Sequence, residues 1–302
     1  MSTDKFSNNF GTATSADKAT AHAEDTPASR TPESIVIKPR NLNFQVEDEL
    51  ATLWHGGDVF KTAFFNALSL QFPRGERQFI DSVRAYRDRV KDPKLLADIR
   101  GFIGQEGMHS REHEDYNAAL AQRGYDLDRM HKRFNAHMDY VYSKPRHLRL
   151  AGTCAAEHYT AVLAHGLLHD PQWLEGASPQ MQALWRWHAV EEIEHKSVAY
   201  DVYQSEIGIP RVRILLFFVV SYHFFKYTFL NTCDMLRTEG KLWSPMTWLK
   251  GLNFLWGYPG VFRKSLPHIL SYLRKDFHPW QLDESKDLQN WTQRLDEAGY
   301  GA

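Results

Sequence analysis

From about residue 46 onward, apolar residues recur at every third and fourth position, and strand-like alternation is scarce. Glycine and proline mostly fall between the periodic runs rather than inside them. This pattern predicts an all-α domain. Gly56-Gly57 and Phe72-Pro73-Arg74-Gly75 interrupt the first helical region. Pro73, whose missing N–H costs nothing in a first turn, starts a helix over about 76–89. Further helices are predicted over about 94–123, ended by Gly124, and about 127–141, broken before Pro145. Others follow over about 148–169, stopped by Asp170-Pro171, and about 179–207, closed by Gly208 and Pro210. A last long helix spans about 212–237, followed by Trp- and Pro-containing helical stretches to about 277.

The expected organisation is a helical domain over 46–277, with a bundle core over about 60–208 and extra helices over about 212–277. Residues 1–45 are rich in Ser, Thr, Ala, Asp and Pro and read as a disordered leader. Residues 278–302 read as a polar C-terminal tail. The most apolar run, Ile214 to Phe225, is shorter than the roughly 20 residues a bilayer span needs and contains Ser221, Tyr222 and His223. It reads as a buried core helix, with a membrane-touching or channel-lining helix as the alternative.

Composition narrows the function. Net charge is −1, without a basic block, so no nucleic-acid partner is indicated. The two cysteines, Cys154 and Cys233, form no disulfide framework, which fits a reducing cytoplasm. Fifteen histidines are many for this length, and several stand beside acidic residues.

Two segments repeat one spacing: Glu106-x-x-His109 and Glu192-x-x-His195. On a helix this puts a carboxylate and an imidazole on neighbouring turns of one face, so both reach a single point. At about 100° per residue, Glu106, His109 and His113 share one narrow stripe, as do His188, Glu192 and His195. Glu191 stays on the same side. Glu194 points away and is expected to be solvated or paired with a surface cation. Glu76 and Glu157 stand alone on two further helices, and Glu157 lies among Ala, Thr and Cys, where a carboxylate needs a partner. The order Glu, Glu-x-x-His, Glu, Glu-x-x-His over four helices is how four-helix bundles hold two metal ions. His113 is ambiguous between a ligand and a pocket residue, and His158, His165 and His169 read as structural.

These segments look familiar. FFNALSLQFPRGERQF, FIGQEGMHSREH, the Ala155-Ala156-Glu157-His158 stretch and WHAVEEIEHKSVAYDVY resemble a bacterial family described as predicted metal-dependent hydrolases, over about 46–275. The run His188-x-x-x-Glu192-x-x-His195 is similar to the fourth-helix pattern of the di-iron arylamine N-oxygenases, such as p-aminobenzoate N-oxygenase. That resemblance implies a ferritin-like four-helix bundle with Glu76, Glu106, His109, Glu157, His188, Glu192 and His195 as ligands to two metal ions.

Three functions compete. Two irons activate O2 to oxidise an apolar small molecule, which the oxygen- and nitrogen-rich donor set, suited to iron or manganese, favours; zinc or manganese in their place goes with the hydrolytic reading that follows. Alternatively, a metal-bound water hydrolyses a substrate, with Glu191 or His113 as general base. In the third, iron is held without turnover. Phe72, Phe79, Phe102, Tyr159, Trp185 and Trp187 are the expected walls of the site. Trp243, Trp248 and Trp256 are expected to line a channel, a homodimer contact or a weak membrane contact.

Overall fold

Helix starts in this chain are written locally. Asp58, Asp92, Asp126, Ser178 and Ser244 each accept a hydrogen bond from a backbone N–H of the first turn that follows, and three of them precede a proline at the first helical position. Each such cap contributes about 0.5–2 kcal/mol. The computed structural model describes residues 29–300, and no strand forms among them. The helices are α1 (Glu47–Leu50), α2 (Val59–Ser69), α3 (Phe72–Arg84), α4 (Pro93–Ala119), α5 (Leu127–Tyr142) and α6 (Arg146–His169). Then come α7 (Pro179–His195), α8 (Val198–Glu206), α9 (Pro210–Thr238), α10 (Pro245–Trp256), α11 (Val261–Ser271) and α12 (Ser285–Glu297). The all-α expectation holds.

Four of these helices form the ring that matters: α3 packs on α4, α6 on α7, and α3·α6 and α4·α7 close it. One apolar cluster contains Phe65, Tyr116, Trp185 and Trp187, and a second contains Ile99, Phe102, Tyr159 and Tyr203. Outside the ring, α9 lies along α2 and α6, α10 packs on α2, and α11 packs on α6 and α10.

Three expectations need correction. Residues 1–28 of the expected leader lie outside the described residues, but 29–45 form an ordered strap. Ser29 N–H donates to Asp92 at 2.7 Å, Arg30 N–H donates to Asp201 at 3.1 Å, and Ile35, Ile37 and Phe44 are buried. The expected polar tail contains α12, which packs on α7 through buried Leu288 and Leu295. The expected core helix is α9, and only 22% of its most apolar window is buried. Its inner face is packed, and its outer face carries exposed Leu215, Phe218 and Tyr222.

The helix expected over 179–207 divides after His195. There Lys196 turns inward onto Glu284 at 2.6 Å, and Ser197 donates to Asp201 at 2.9 Å. No Gly or Pro marks this break.

The strap depends on glycine in α4. A Cβ on Gly101 would lie 2.4 Å from the Ile37 carbonyl oxygen, and one on Gly104 would lie 2.5 Å from the Pro39 ring. Gly107, three residues further on, would meet nothing within 4 Å. Gly101→Ala is therefore expected to destabilise by about 1–3 kcal/mol through overpacking. Gly107→Ala should stabilise by about 0.5–1 kcal/mol through helix propensity alone. Urea titration of both variants checks the pair, and equal effects would mean that the strap does not press on α4.

Candidate metal centre

Each helix of the ring contributes to one buried point: Glu76 from α3, Glu106 and His109 from α4, Glu157 from α6, and His188, Glu192 and His195 from α7. None is more than 4% exposed. Two overlapping groups result. His195 Nε2 lies 3.3 Å from Glu106, 3.5 Å from Glu157 and 3.5 Å from Glu192. His109 Nδ1 lies 3.5 Å from Glu192, and Glu76, Glu106 and His109 bring their ligand atoms within 4.8 Å of one another. His188 joins His109 and Glu192 in a further group of that kind. Glu106 and Glu192 thus belong to both halves, which is the arrangement that carboxylates bridging two cations require.

The polar atoms at this point lack partners. Glu76 Oε1, both oxygens of Glu106 and of Glu157, Glu192 Oε2, His109 Nδ1 and His195 Nε2 are buried without a hydrogen bond. Buried groups of this kind are ordinarily satisfied. Eight of them converging on one place fit a site for cations, and the residues present therefore suit metal ions. Burial, and then the charge of neighbouring carboxylates, push Glu76, Glu106 and Glu157 well above the ordinary carboxylate range. Burial and the neighbouring His109 hold His188 down to about 4, so its ring is neutral at physiological pH.

The other nitrogen of each imidazole is held from behind. Glu191 accepts from His109 Nε2 at 3.1 Å, the Gln105 side-chain oxygen accepts from His195 Nδ1 at 2.9 Å, and His113 Nε2 meets His188 Nδ1 at 2.7 Å. Such partners fix ring orientation and tautomer at metal sites. The far nitrogen of His113 bonds Ser69 at 2.8 Å, so both of its ring nitrogens are committed. Trp187 stands edge-on to His109, and Phe102 edge-on to His195, each at 5.0 Å.

A family model described as predicted metal-dependent hydrolase matches residues 38–283. The chain belongs to that family. No curated protein and no solved structure matches it. The family match begins at Lys38 and so takes in the second half of the strap, which brings a guanidinium beside the centre. Arg40, 4% exposed, donates to Glu191 at 3.1 Å and to Glu194 at 2.7 Å. Glu194 thus points away from the centre and is paired with a cation but, contrary to expectation, neither it nor that cation is at the surface: the strap covers the face to which it points. Gln105 also donates to it at 2.5 Å. Burial acts to raise Glu191, but the hydrogen bond from His109 and the charges of His109 and Arg40 outweigh it and keep that carboxyl below its ordinary value.

A cavity of about 310 Å3 reaches the centre at Glu76 and Glu192. Phe72, Phe79 and Tyr159 line it, as do Leu216 and Val220 of α9, and Tyr140 and Val219 on its wall are exposed to solvent. Of the expected walls, Phe102, Trp185 and Trp187 are not in the cavity but behind the histidines. None of Trp243, Trp248 and Trp256 lines it. His158 donates to backbone carbonyls of α11, and His165 pairs with Glu284 at 2.7 Å, both away from the centre.

Arg40→Met should cost about 3–5 kcal/mol, because two buried carboxylates would lose their counter-charge. Glu114→Ala, which removes an exposed pair with Arg77, should cost no more than about 1 kcal/mol. Denaturant midpoints of the two variants test this, and a silent Arg40 change would remove it from the centre's support.

Proposed function

We propose that the centre holds two metal ions, with iron as the working metal, and that the chain uses them to oxidise an apolar small molecule with O2. The observation that carries this reading is the apolar cavity ending on Glu76 and Glu192, at the unpartnered carboxylates. Glu76, Glu106, His109, Glu157, His188, Glu192 and His195 would hold the ions. Four carboxylates with imidazoles and no thiolate suit iron or manganese better than a four-coordinate structural zinc site. Bound there, two irons supply the electrons for O2 reduction and the oxidising power to attack a C–H or N–H bond, with an external donor restoring them. The chain's own contribution is position and dryness. Phe72, Phe79 and Tyr159 keep bulk water from the inner end of the cavity, and Glu191, Gln105 and His113 keep the imidazoles aimed at it. The likeness to the arylamine N-oxygenases rests on the order of the seven residues and supports the metal set rather than the substrate.

The family description favours a second reading, hydrolysis by a water that the ions activate. The two side chains suited to act as its general base are both occupied. Glu191 is bound by Arg40, Trp187 and His109, and His113 by Ser69 and His188. The oxidative reading needs no such base, which is why it is preferred.

Metal analysis of the purified full chain should find about two irons, and O2 added after reduction should produce an optical change. His195→Ala and Glu106→Ala should each lose at least half of the bound metal and lower the Tm, because the remaining carboxylates stay buried without counter-charge. Zinc-loaded protein that cleaves esters without O2 would replace this reading with the hydrolytic one. Full metal occupancy in both variants would reject the ligand set.

A further inference from the structure

We propose that the outer face of α9 and α10 is a docking surface for an anionic phospholipid bilayer, and that the cavity takes its substrate from that bilayer. The face is apolar where a soluble helix is ordinarily polar. Along α9, Leu215, Phe218, Val219, Tyr222 and Phe229 follow helical spacing and are 42–63% exposed. On α10, Met246, Leu249 and Leu252 are 52–64% exposed, and Trp243, just before this helix, is 89% exposed. The two helices join into one patch, since Phe229 packs on Trp248 with ring centroids 5.9 Å apart. Gly251 lets α10 lie directly on Phe60 of α2, where a Cβ would come within 2.3 Å of the ring. Both helices are thereby held flat, and their apolar sides face outward. Exposed apolar patches of this extent mark partner or membrane contacts.

Charge selects the partner. Residues 209–275 contain ten Lys or Arg against two acids, Asp234 and Glu239, in a chain whose net charge is −1. Both acids are already neutralised, Asp234 by Arg133 and Arg237, and Glu239 by Arg123. Lys226, Lys241 and Lys250 therefore stand in or beside the patch without a salt bridge among the described residues. An apolar face with aromatic residues and a basic border is the pattern of helices that lie in the plane of a membrane interface. A second copy of the chain would bring equal positive charge against this border, whereas an anionic lipid surface attracts it. Spanning is excluded by the inner face of α9, where Arg213 donates to carbonyls of Tyr272 and Arg274 and Asn231 accepts from Arg133. Pulling that face into lipid would break these bonds.

The cavity connects the patch to the metal centre. Val219 is exposed on the docking face and also lines the cavity, whose far end is at Glu76 and Glu192. An apolar molecule dissolved in the bilayer would reach the centre without crossing water. This last clause rests on the proposed oxidation, whereas docking itself does not.

Sedimentation of the full chain with vesicles tests docking without turnover, so its failure and that of the oxidative reading remain separable. Vesicles of phosphatidylcholine mixed with phosphatidylglycerol should retain the protein, and phosphatidylcholine alone should retain several-fold less. Raising salt from about 0.1 to about 1 M should remove most of that difference. Leu215→Glu with Phe218→Glu should reduce retention at least tenfold, with the melting curve and metal content unchanged. Trp243→Ala alone should reduce it several-fold. Absence of retention, or equal retention of the double variant, overturns the proposal. A dimer in sedimentation velocity that the double variant splits, without vesicle binding, overturns it in favour of a second copy.

Discussion

Mutual repulsion and burial of four carboxylates at one point is the constraint around which the chain is arranged. Glu76, Glu106, Glu157 and Glu192 are each at most 3% exposed and converge from four helices. Burying a charge without a partner costs several kcal/mol. Nothing in this bundle offers Glu76, Glu106 or Glu157 a counter-ion of its own: their free oxygens face one another and two imidazoles. The acids just outside the point are treated differently. Glu191 and Glu194 receive Arg40, a guanidinium carried in on the strap. One set of buried acids is thus neutralised by the protein, and the neighbouring set is left for cations. This division says more about function than the number of acids does.

The same constraint explains why the supporting residues are polar and buried. An imidazole that serves a cation with one nitrogen is held in orientation and tautomer by a partner on the other, and Glu191, Gln105 and His113 supply those partners. These supports come from the same two helices as the histidines they hold, α4 and α7. Each support lies across from its histidine, Glu191 of α7 on His109 of α4 and Gln105 and His113 of α4 on His195 and His188 of α7. Rotation of either helix would part them, so the packing of α4 against α7 sets the geometry of the whole centre. The strap presses on this pair through Gly101 and Gly104 on one helix and through Arg40 on the other.

Helical spacing made four of the seven acids and histidines legible, because period alone brings Glu106 next to His109 and Glu192 next to His195. Glu76 and Glu157 stood out as lone acids on other helices, and His188 entered the ligand set through the resemblance. The long helices were legible too, since their caps and prolines are local. Spacing put Glu194 off the ligand stripe but missed its burial. Its phase was read against the ring, but burial there comes from a segment about 150 residues distant in sequence. Composition hid that segment, because Ser, Thr and Pro precede Ile35, Ile37 and Phe44, and the apolar trio was too short to register. The tail failed likewise: Leu288 and Leu295 anchor α12, but lie among charges. The break after His195 has no local signal, since the Lys196–Glu284 pair that accompanies it is formed only in three dimensions.

The apolar helix is the most instructive case, because its hydrophobicity was read correctly and its direction was not. Mean apolar character does not say which side of a helix faces the protein. In α9 the inward face includes Arg213, Asn231 and Asp234, each satisfied by a carbonyl or an arginine, and the outward face takes Leu215, Phe218 and Tyr222. Buried Phe217, Tyr227, Met235 and Leu236, together with these polar contacts, fix α9 on the bundle, so its outer apolar side chains contribute little to folding and suit the proposed contact outside the folded monomer. The cavity wall on the same helix, running inward from Val219, gives that contact a direction: whatever meets the outer face also stands at the entrance to the metal centre.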